Sequence, residues 1–241
     1  MGVKNLYIAS LEPSSGSLII SMGIMELLKS RVNKLAFFRP IIPNASISDR
    51  DIQFMLEHFN LTQSPHSCYG FGLDEAETLL SEGKESLLIE RLIEQYQALE
   101  SEYDFVLIQG LPQASFSKTL SYNLNHIIAK NLKAPYISVI NGKNKTHDQL
   151  IHEIELEKGS LKNEHVEHIA LFLNRLDELN YRSFHTSGCE QCVPTFFMRE
   201  IDELDRISVA EVKEALGAHV IVGGGADLDR IIRRPKIAAM N

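Results

Sequence analysis

The stretch between residues 6 and 18 most constrains the fold of this chain, because it has the layout of a phosphate-binding loop. An apolar strand leads into a serine-rich turn, and a long apolar helix follows. A working loop reads G-x-x-x-x-G-K-[ST], where the lysine neutralises phosphate charge and the hydroxyl residue holds Mg²⁺. Gly16 fills the second glycine position, but Leu11 replaces the first glycine, and Ser17 and Leu18 replace the lysine and the hydroxyl residue. The sequence therefore predicts a nucleotide-binding fold that has lost its nucleotide chemistry.

Two interpretations of the loop Ser10–Ser17 stay open. The N-terminus of the following helix offers N–H groups that favour an anion even without a lysine, and the loop serines add hydroxyl donors. Alternatively, the loop is only a strand-to-helix turn retained from a nucleotide-binding ancestor. We therefore take Ser14, Ser15, Gly16 and Ser17 as candidate residues of an anion site or of a vestigial loop.

Composition narrows the class of protein. The chain has 241 residues, 44% of them apolar, which suffices for one large α/β domain or for a domain and the start of another. Its net charge of −8, with no basic stripe, argues against a nucleic-acid partner. It lacks an apolar run of about 18 residues and a signal peptide. Three cysteines suit a reducing compartment, so we expect a cytoplasmic protein without a membrane or nucleic-acid partner.

Buried-type strands alternate with helical patterns along the chain, and this order predicts an α/β fold with a doubly wound, mostly parallel sheet. The predicted strands are Lys4–Ser10, Lys34–Pro40, Asp104–Gly110, Ala134–Asn141, His168–Arg175 and Thr195–Arg199. The predicted helices are Leu18–Arg31, Ser48–Phe59, Glu85–Ser101, Ser121–Leu132, Thr146–Glu157 and Ser208–Leu216. Ser48, Thr146 and Ser208 are predicted N-caps, Ser208 with Glu211 as a capping box, and Gly217 is a predicted helix stop.

Three polar residues at predicted strand ends are further candidates for binding. Gln109 stands where working enzymes of this fold place a carboxylate for Mg²⁺, although it can equally bond a neighbouring loop. Arg39 lies near the predicted switch point of the sheet, where it either meets an anion bound by the loop or packs beneath the loop as a donor. Asn174 occupies a position that related folds use to read a purine edge, but asparagine after a strand is also common turn chemistry.

The segment His185–Cys192 carries a Cys-x-x-Cys pair, Cys189 and Cys192, with a histidine four residues upstream. Two thiolates and an imidazole can hold Zn²⁺, but a structural site needs four ligands, and Cys68 is far away in sequence. The alternative is a pair of reduced thiols in a surface loop. We predict no metal site, no catalytic residue and no cofactor for this chain.

The last residues look like the start of a second domain. The segment His219–Asp229 is predicted to open a new strand and a glycine turn, and the chain stops within what looks like another strand, at Lys236–Asn241. We therefore expect a P-loop-like α/β domain over residues 1–205 and a truncated second domain over 206–241. On this interpretation the chain is a fragment of a longer protein.

With these pieces in order, the chain resembles the N-terminal part of long-form bacterial phosphate acetyltransferase, which is itself similar to dethiobiotin synthetase. The resemblance covers nearly the whole chain, and it is the order of the motifs that is specific. The matching segments are Pro13–Gly23, Phe38–Ile41, Val106–Leu111, Ser121–Asn125, Leu173–Asp177, Ser208–Ala218 and Leu228–Arg230.

The resemblance implies a domain without catalytic residues of its own. The family transfers acetyl between coenzyme A and phosphate in a C-terminal domain, and its N-terminal domain is thought to support assembly and metabolite control. The implied partners are the middle and catalytic domains of the same polypeptide, further copies of the chain and a small anionic metabolite. The alternatives are an ATP-dependent ligase similar to dethiobiotin synthetase, which needs the missing lysine, and a stand-alone sensor of an anionic metabolite.

Overall fold

The computed structural model describes residues 3–112, 124–187 and 193–232. Its main feature is a seven-stranded parallel sheet with the order β3-β2-β4-β1-β5-β6-β7. Its strands are β1 (Asn5–Ser10), β2 (Leu35–Ile42), β3 (Tyr69–Gly72), β4 (Phe105–Gln109), β5 (Tyr136–Asn141), β6 (His168–Leu176) and β7 (Thr195–Arg199). Because the strands are parallel, their carboxyl ends meet at one edge, and the loop after β1 lies there as predicted.

Helices cover both faces of this sheet, which confirms the doubly wound α/β architecture. They are α1 (Ser17–Lys29), α2 (Arg50–Phe59), α3 (Leu73–Ser81), α4 (Glu85–Glu102), α5 (Leu124–Asn131), α6 (His147–Asn163) and α7 (Glu178–Ser187). One face packs against α1 and α2, through Ile20, Met25 and Met55. The other packs against the remaining helices, and the predicted apolar stripe of α4 is buried there.

Several predicted helix ends are confirmed, but α6 ends at Asn163 rather than at Glu157, and the predicted helix start at Ser121 lies outside the described residues. Thr146 caps α6 through a reciprocal capping box with Gln149. The predicted N-cap Ser48 was wrong, because Asp49 caps α2 by accepting the N–H of Ile52 at 3.0 Å. A carboxylate at this position also pairs with a neighbouring arginine, a role that a serine hydroxyl cannot fill.

Among the strands and helices named so far, three were not predicted from the sequence, namely β3, α3 and α7. The strand β3 has only four residues, two of them glycines, so its sequence shows no strand periodicity. Gly70 is required there because a Cβ atom would collide with the Leu92 side chain and the Pro40 carbonyl. Gly70 therefore allows close packing at this edge strand, a feature that sequence patterning does not display.

The structure divides into two units, Met1–Arg199 and Glu200–Asn241. The second contains an antiparallel pair, β8 (Ile207–Ser208) and β9 (Ile231–Ile232), with two helices, α8 (Val209–Leu216) and α9 (Gly225–Leu228). The predicted Ser208 capping box and Gly217 stop are both present.

The strand predicted to open at His219 was wrong. Residues 219–222 form no strand, and the side chains of Ile221 and Val222 are almost fully exposed. No neighbouring strand pairs with this segment in the described part of the unit, so an apolar run alone does not make a strand. The predicted domain boundary at residue 205 stays a prediction, as does the interpretation of 206–241 as a truncated domain.

Candidate functional site

Three predicted candidates, Arg39, Gln109 and Asn174, share one face at one edge of the sheet with Ser10, the first residue of the loop. Ser10, Arg39, Gln109 and Asn174 lie at or near the carboxyl ends of β1, β2, β4 and β6. Side chains alternate along a strand, and each candidate lies two residues beyond a side chain packed on the α1 side of the sheet. Those residues are Ile8, Phe37, Leu107 and Phe172. These four residues therefore lie on the α1 side as well.

The loop itself turns sharply before α1. Ser14 and Gly16 both have left-handed backbone conformations, with φ of 56° and 84°. Gly16 is the N-cap residue of α1, and a Cβ there would collide with the side-chain amide of Asn174. The helix has no side-chain cap in the structure, so the N–H groups of its first turn are left for another acceptor.

Two side chains from β6 hold the loop in place. The Asn174 amide Nδ2 donates to the Ser15 carbonyl at 2.8 Å, and Arg175 Nη1 donates to the Ser14 carbonyl at 2.8 Å. The carbonyl and N–H of a trans peptide point in opposite directions, so the N–H groups of Ser15 and Gly16 are directed away from these donors. Asn174 thus anchors the loop, and whether it also contacts a purine stays a prediction.

A lysine reaches the loop from outside it. Lys145 lies between β5 and α6, at the same edge of the sheet, and its side chain is 14% exposed. Its Nζ atom bonds Glu12 Oε1 in the loop at 2.6 Å and Glu153 Oε2 on α6 at 2.6 Å. This contact was not predicted from the sequence. Its only signal was a lysine just before the N-cap of a helix that follows a buried strand.

Several buried polar atoms around the loop have no hydrogen-bond partner among the described residues. They are the hydroxyls of Ser10 and Ser15 and the Gln109 Oε1 atom, joined by the Ser21 hydroxyl on α1. Buried polar groups normally have a partner, because an unpaired one costs free energy. The Ser10 and Ser15 hydroxyls belong to the loop itself, so they are hydrogen-bonding groups that are open to a ligand there.

Arg39 is engaged away from the loop. Its Nη1 atom contacts Asp49 Oδ1 at 2.6 Å and Asp51 Oδ2 at 3.2 Å, next to the start of α2. Burial raises the pKa of Asp51, Arg39 opposes that rise and Asp49 adds to it. The strand β4 separates β2 from β1. Arg39 therefore supports the β2–α2 connection, and a role in holding an anion stays a prediction.

The structure places no metal-binding cluster in residues 3–112, 124–187 or 193–232. Cys189 and Cys192 lie outside these ranges, so their role stays a prediction, and His185 is exposed on α7. Cys68 is buried, and its thiol donates to the Ser64 carbonyl at 3.3 Å. Burial raises the pKa of this thiol to about 12, which keeps it an unreactive thiol.

A second buried polar group lies on the opposite face of the sheet. The Ser138 hydroxyl on β5 donates to Glu157 Oε1 on α6 at 2.8 Å, and it also contacts His168 Nε2 at 3.2 Å. The His126 Nε2 atom on α5 lies 3.6 Å from Glu157 Oε1, and its Nδ1 atom contacts the Ser160 hydroxyl at 3.3 Å. We call Ser138, Glu157, His126 and His168 the inner cluster.

The inner cluster contains a serine, histidines and a carboxylate, but it is not arranged as a nucleophilic triad. The Ser138 hydroxyl gives its proton to the carboxylate rather than to a histidine, and a hydroxyl has only one proton to give. His168 must then donate from Nε2 to the Ser138 oxygen. Ser138 is 1% exposed, so no substrate reaches it. Desolvation lowers the pKa of His168, which keeps its ring neutral, although Glu157 opposes this effect.

Comparison with known proteins identifies relatives of one kind over nearly the whole chain. Phosphate acetyltransferase of Nitratidesulfovibrio vulgaris is 33% identical over 246 residues, which cover 98% of this chain and 35% of that protein. Phosphate acetyltransferase of Synechocystis is 26% identical over 99% of this chain and 35% of its own length. The resemblance found in the sequence is thereby confirmed. The chain spans about a third of the length of these relatives.

Solved structures share the fold at low sequence identity. A putative plasmid partition protein of Borrelia burgdorferi, bound to AMPPNP, superposes with a TM-score of 0.57 at 13% identity, over 92% of this chain and 93% of its own. The ATP complex of Cyanothece McdA superposes with a TM-score of 0.51 at 16% identity, over 92% and 99%. These likenesses support the P-loop NTPase-like α/β fold.

No helix in the described part of the chain is long and apolar enough to cross a membrane.

A family model described as "AAA domain" matches residues 4–223, which is most of the sequence. The chain therefore belongs to the AAA domain family.

Proposed function

We propose that this chain is the N-terminal, non-catalytic domain of a phosphate acetyltransferase and that it supports assembly and metabolite control. The observation that carries the proposal is the match over 98% of the chain to 35% of a phosphate acetyltransferase. On this proposal a C-terminal domain transfers acetyl between coenzyme A and phosphate, outside the residues of this chain.

The loop supports the non-catalytic part of the proposal. A working phosphate loop stabilises phosphoryl charge with a lysine and a metal-bound carboxylate. Ser17 and Gln109 occupy those two positions here. The inner cluster supplies no alternative catalytic group, because its serine is buried and bonded to a carboxylate. These features disfavour a ligase similar to dethiobiotin synthetase.

The same loop favours a role in sensing a metabolite over the alternative that it is only a turn retained from a nucleotide-binding ancestor. Unpartnered hydroxyls at Ser10 and Ser15 lie beside a helix N-terminus without a side-chain cap. An anion offers acceptors to both kinds of donor. We therefore propose that a small anionic metabolite binds at Ser14, Ser15, Gly16 and Ser17 and shifts the whole protein between states. Such a shift requires that the anion contact the two states differently.

Three proteins test the assignment: this chain alone, the natural full-length protein, and the full-length protein without residues 1–241. We expect no acetyl transfer between acetyl-CoA and phosphate in the first, transfer in the second, and residual transfer with altered assembly or effector response in the third. Light scattering measures assembly, and a homo-oligomer in the cytoplasm is expected for the full-length protein.

Acetyl transfer by residues 1–241 alone contradicts the proposal, and so does a full-length protein that lacks this activity. If the shortened protein keeps unchanged assembly, kinetics and effector response, the acetyltransferase assignment survives and the regulatory role is wrong.

A further inference from the structure

The loop lacks its own lysine, but a lysine from elsewhere contacts it. Lys145 extends from the connection between β5 and α6, and β5 is the direct neighbour of β1, which leads into the loop. Its Nζ atom bonds Glu12, which lies four residues before Gly16. Position 17 of the loop has no lysine, and Lys145 therefore supplies a positive charge to the loop from the end of the neighbouring strand.

The partner that Lys145 has in the loop is a carboxylate, which is itself an oxyanion. Glu12 and Glu153 together neutralise the ammonium group at 2.6 Å each. With Glu12 in contact, an incoming anion meets a negative charge in the loop and a lysine that is already paired. A carboxylate that swings away exposes the lysine and removes the repulsion in one movement.

We propose that Lys145 is the cation of an oxyanion site at the loop and that Glu12 holds this site closed by occupying the lysine. The ligand class is inorganic phosphate or the phosphate group of a small metabolite. The inference rests on the proposed anion-sensing function and adds its regulation, because ligand binding requires the Glu12–Lys145 pair to open.

A second observation, independent of the lysine, points to a ligand at the same place. Ser10 is the first residue of the loop, and Ser15 lies within it. The hydroxyls of both residues are buried and have no partner among the described residues. Asn174 and Arg175 bind the loop carbonyls from the β6 side, which leaves the N–H groups of Ser15 and Gly16 directed elsewhere. Hydroxyl and N–H donors thus share this short segment, and an oxyanion is the acceptor they lack.

Titration of the 241-residue chain with inorganic phosphate tests the proposal, with calorimetry for affinity and amide NMR shifts of Gly16 and Ser17 for location. We expect weak binding by the natural chain and about tenfold tighter binding by Glu12→Gln, because a charge-assisted contact is worth roughly that factor. Glu153→Gln is the matched control, since it removes the other carboxylate but leaves the loop carboxylate in place. It should change affinity at most about twofold, because Glu12 still pairs with the lysine and still repels the anion within the loop.

Substitutions of the lysine complete the test. In the Glu12→Gln background, Lys145→Met should abolish phosphate binding, whereas Lys145→Arg should retain it because the charge remains. Thermal unfolding of every variant checks that the fold is intact, and the Lys145→Arg variant provides the comparison if Lys145→Met unfolds.

If Glu12→Gln and Glu153→Gln increase phosphate affinity equally, Glu12 does not close the site, because the loss of either negative charge then has the same effect. Phosphate binding that survives Lys145→Met overturns the role of the lysine but leaves an anion site at the loop. If no variant binds phosphate, both the closing role of Glu12 and the anion site itself are wrong. The acetyltransferase assignment is tested separately by the three proteins described above.

Discussion

Two buried polar regions of this domain treat the same residue type in opposite ways. Ser15, in the loop at the carboxyl edge of the sheet, and Ser138, in the inner cluster, are each 1% exposed. The hydroxyl of Ser138 contacts Glu157 and His168, whereas that of Ser15 has no partner among the described residues. Burial alone therefore does not distinguish a structural serine from a candidate binding residue.

The difference shows which polar groups belong to the fold and which are open to a ligand. In the inner cluster, the Ser138 hydroxyl on β5 contacts both Glu157 and His168, and Glu157 lies 3.6 Å from His126, although the His168 Nδ1 atom has no hydrogen-bond partner among the described residues. At the loop, the Ser10 and Ser15 hydroxyls have no partner among the described residues, and the helix that follows has no side-chain cap. The loop is held in shape by Asn174 and Arg175, but its own donors remain available.

The largest effect is expected when the inner cluster is broken. Glu157→Ala removes the acceptor for Ser138 and leaves His126 without its carboxylate, which should lower the free energy of unfolding by about 3–5 kcal/mol. Glu155→Ala, at an exposed position on the same helix, is the control and should change it by less than about 0.5 kcal/mol. Urea denaturation measures both. Similar losses from the two variants would show that the cluster is not a structural unit.

A smaller loss in the free energy of unfolding is expected when Ser138 and Ser15 are each replaced, and the two losses should differ. Ser138→Ala deprives a buried carboxylate of a hydrogen bond and should cost about 1–3 kcal/mol, whereas Ser15→Ala removes an unpartnered hydroxyl and should cost less than about 1 kcal/mol. The measurement is again the free energy of unfolding, in buffer without phosphate or sulfate. An equal loss from both substitutions would mean that Ser15 has a structural partner, and the comparison would fail.

The fold was accessible from the sequence because its strands are nearly continuous apolar runs with helical patterns between them. Strands such as β1, β4 and β5 are buried on both faces, and such runs are typical of a parallel sheet. Among the elements that the sequence did not predict, β3 depends on close packing at Gly70 rather than on periodicity. The wrong strand at His219 shows the converse, since an apolar run needs a neighbouring strand to pair with.

The candidate site was predicted only in part. Parallel strands bring their carboxyl ends together, so the shared edge of Ser10, Gln109 and Asn174 followed from the strand assignments. The contacts of Arg39 with Asp49 and of Lys145 with Glu12 did not follow, because each joins side chains from separate segments through rotamer choices. The inner cluster was not predicted for the same reason. Its members are separated by up to 42 residues along the chain, from His126 to His168.

The central claim is that this nucleotide-binding fold no longer acts on nucleotides, and calorimetric titration of the 241-residue chain with MgATP tests it most directly. Losing the lysine and the carboxylate removes two charge-assisted contacts of about 1.5–3 kcal/mol each, or roughly two to four orders of magnitude in affinity. We expect no binding at micromolar MgATP and no release of phosphate from ATP. Micromolar binding of MgATP would contradict the account.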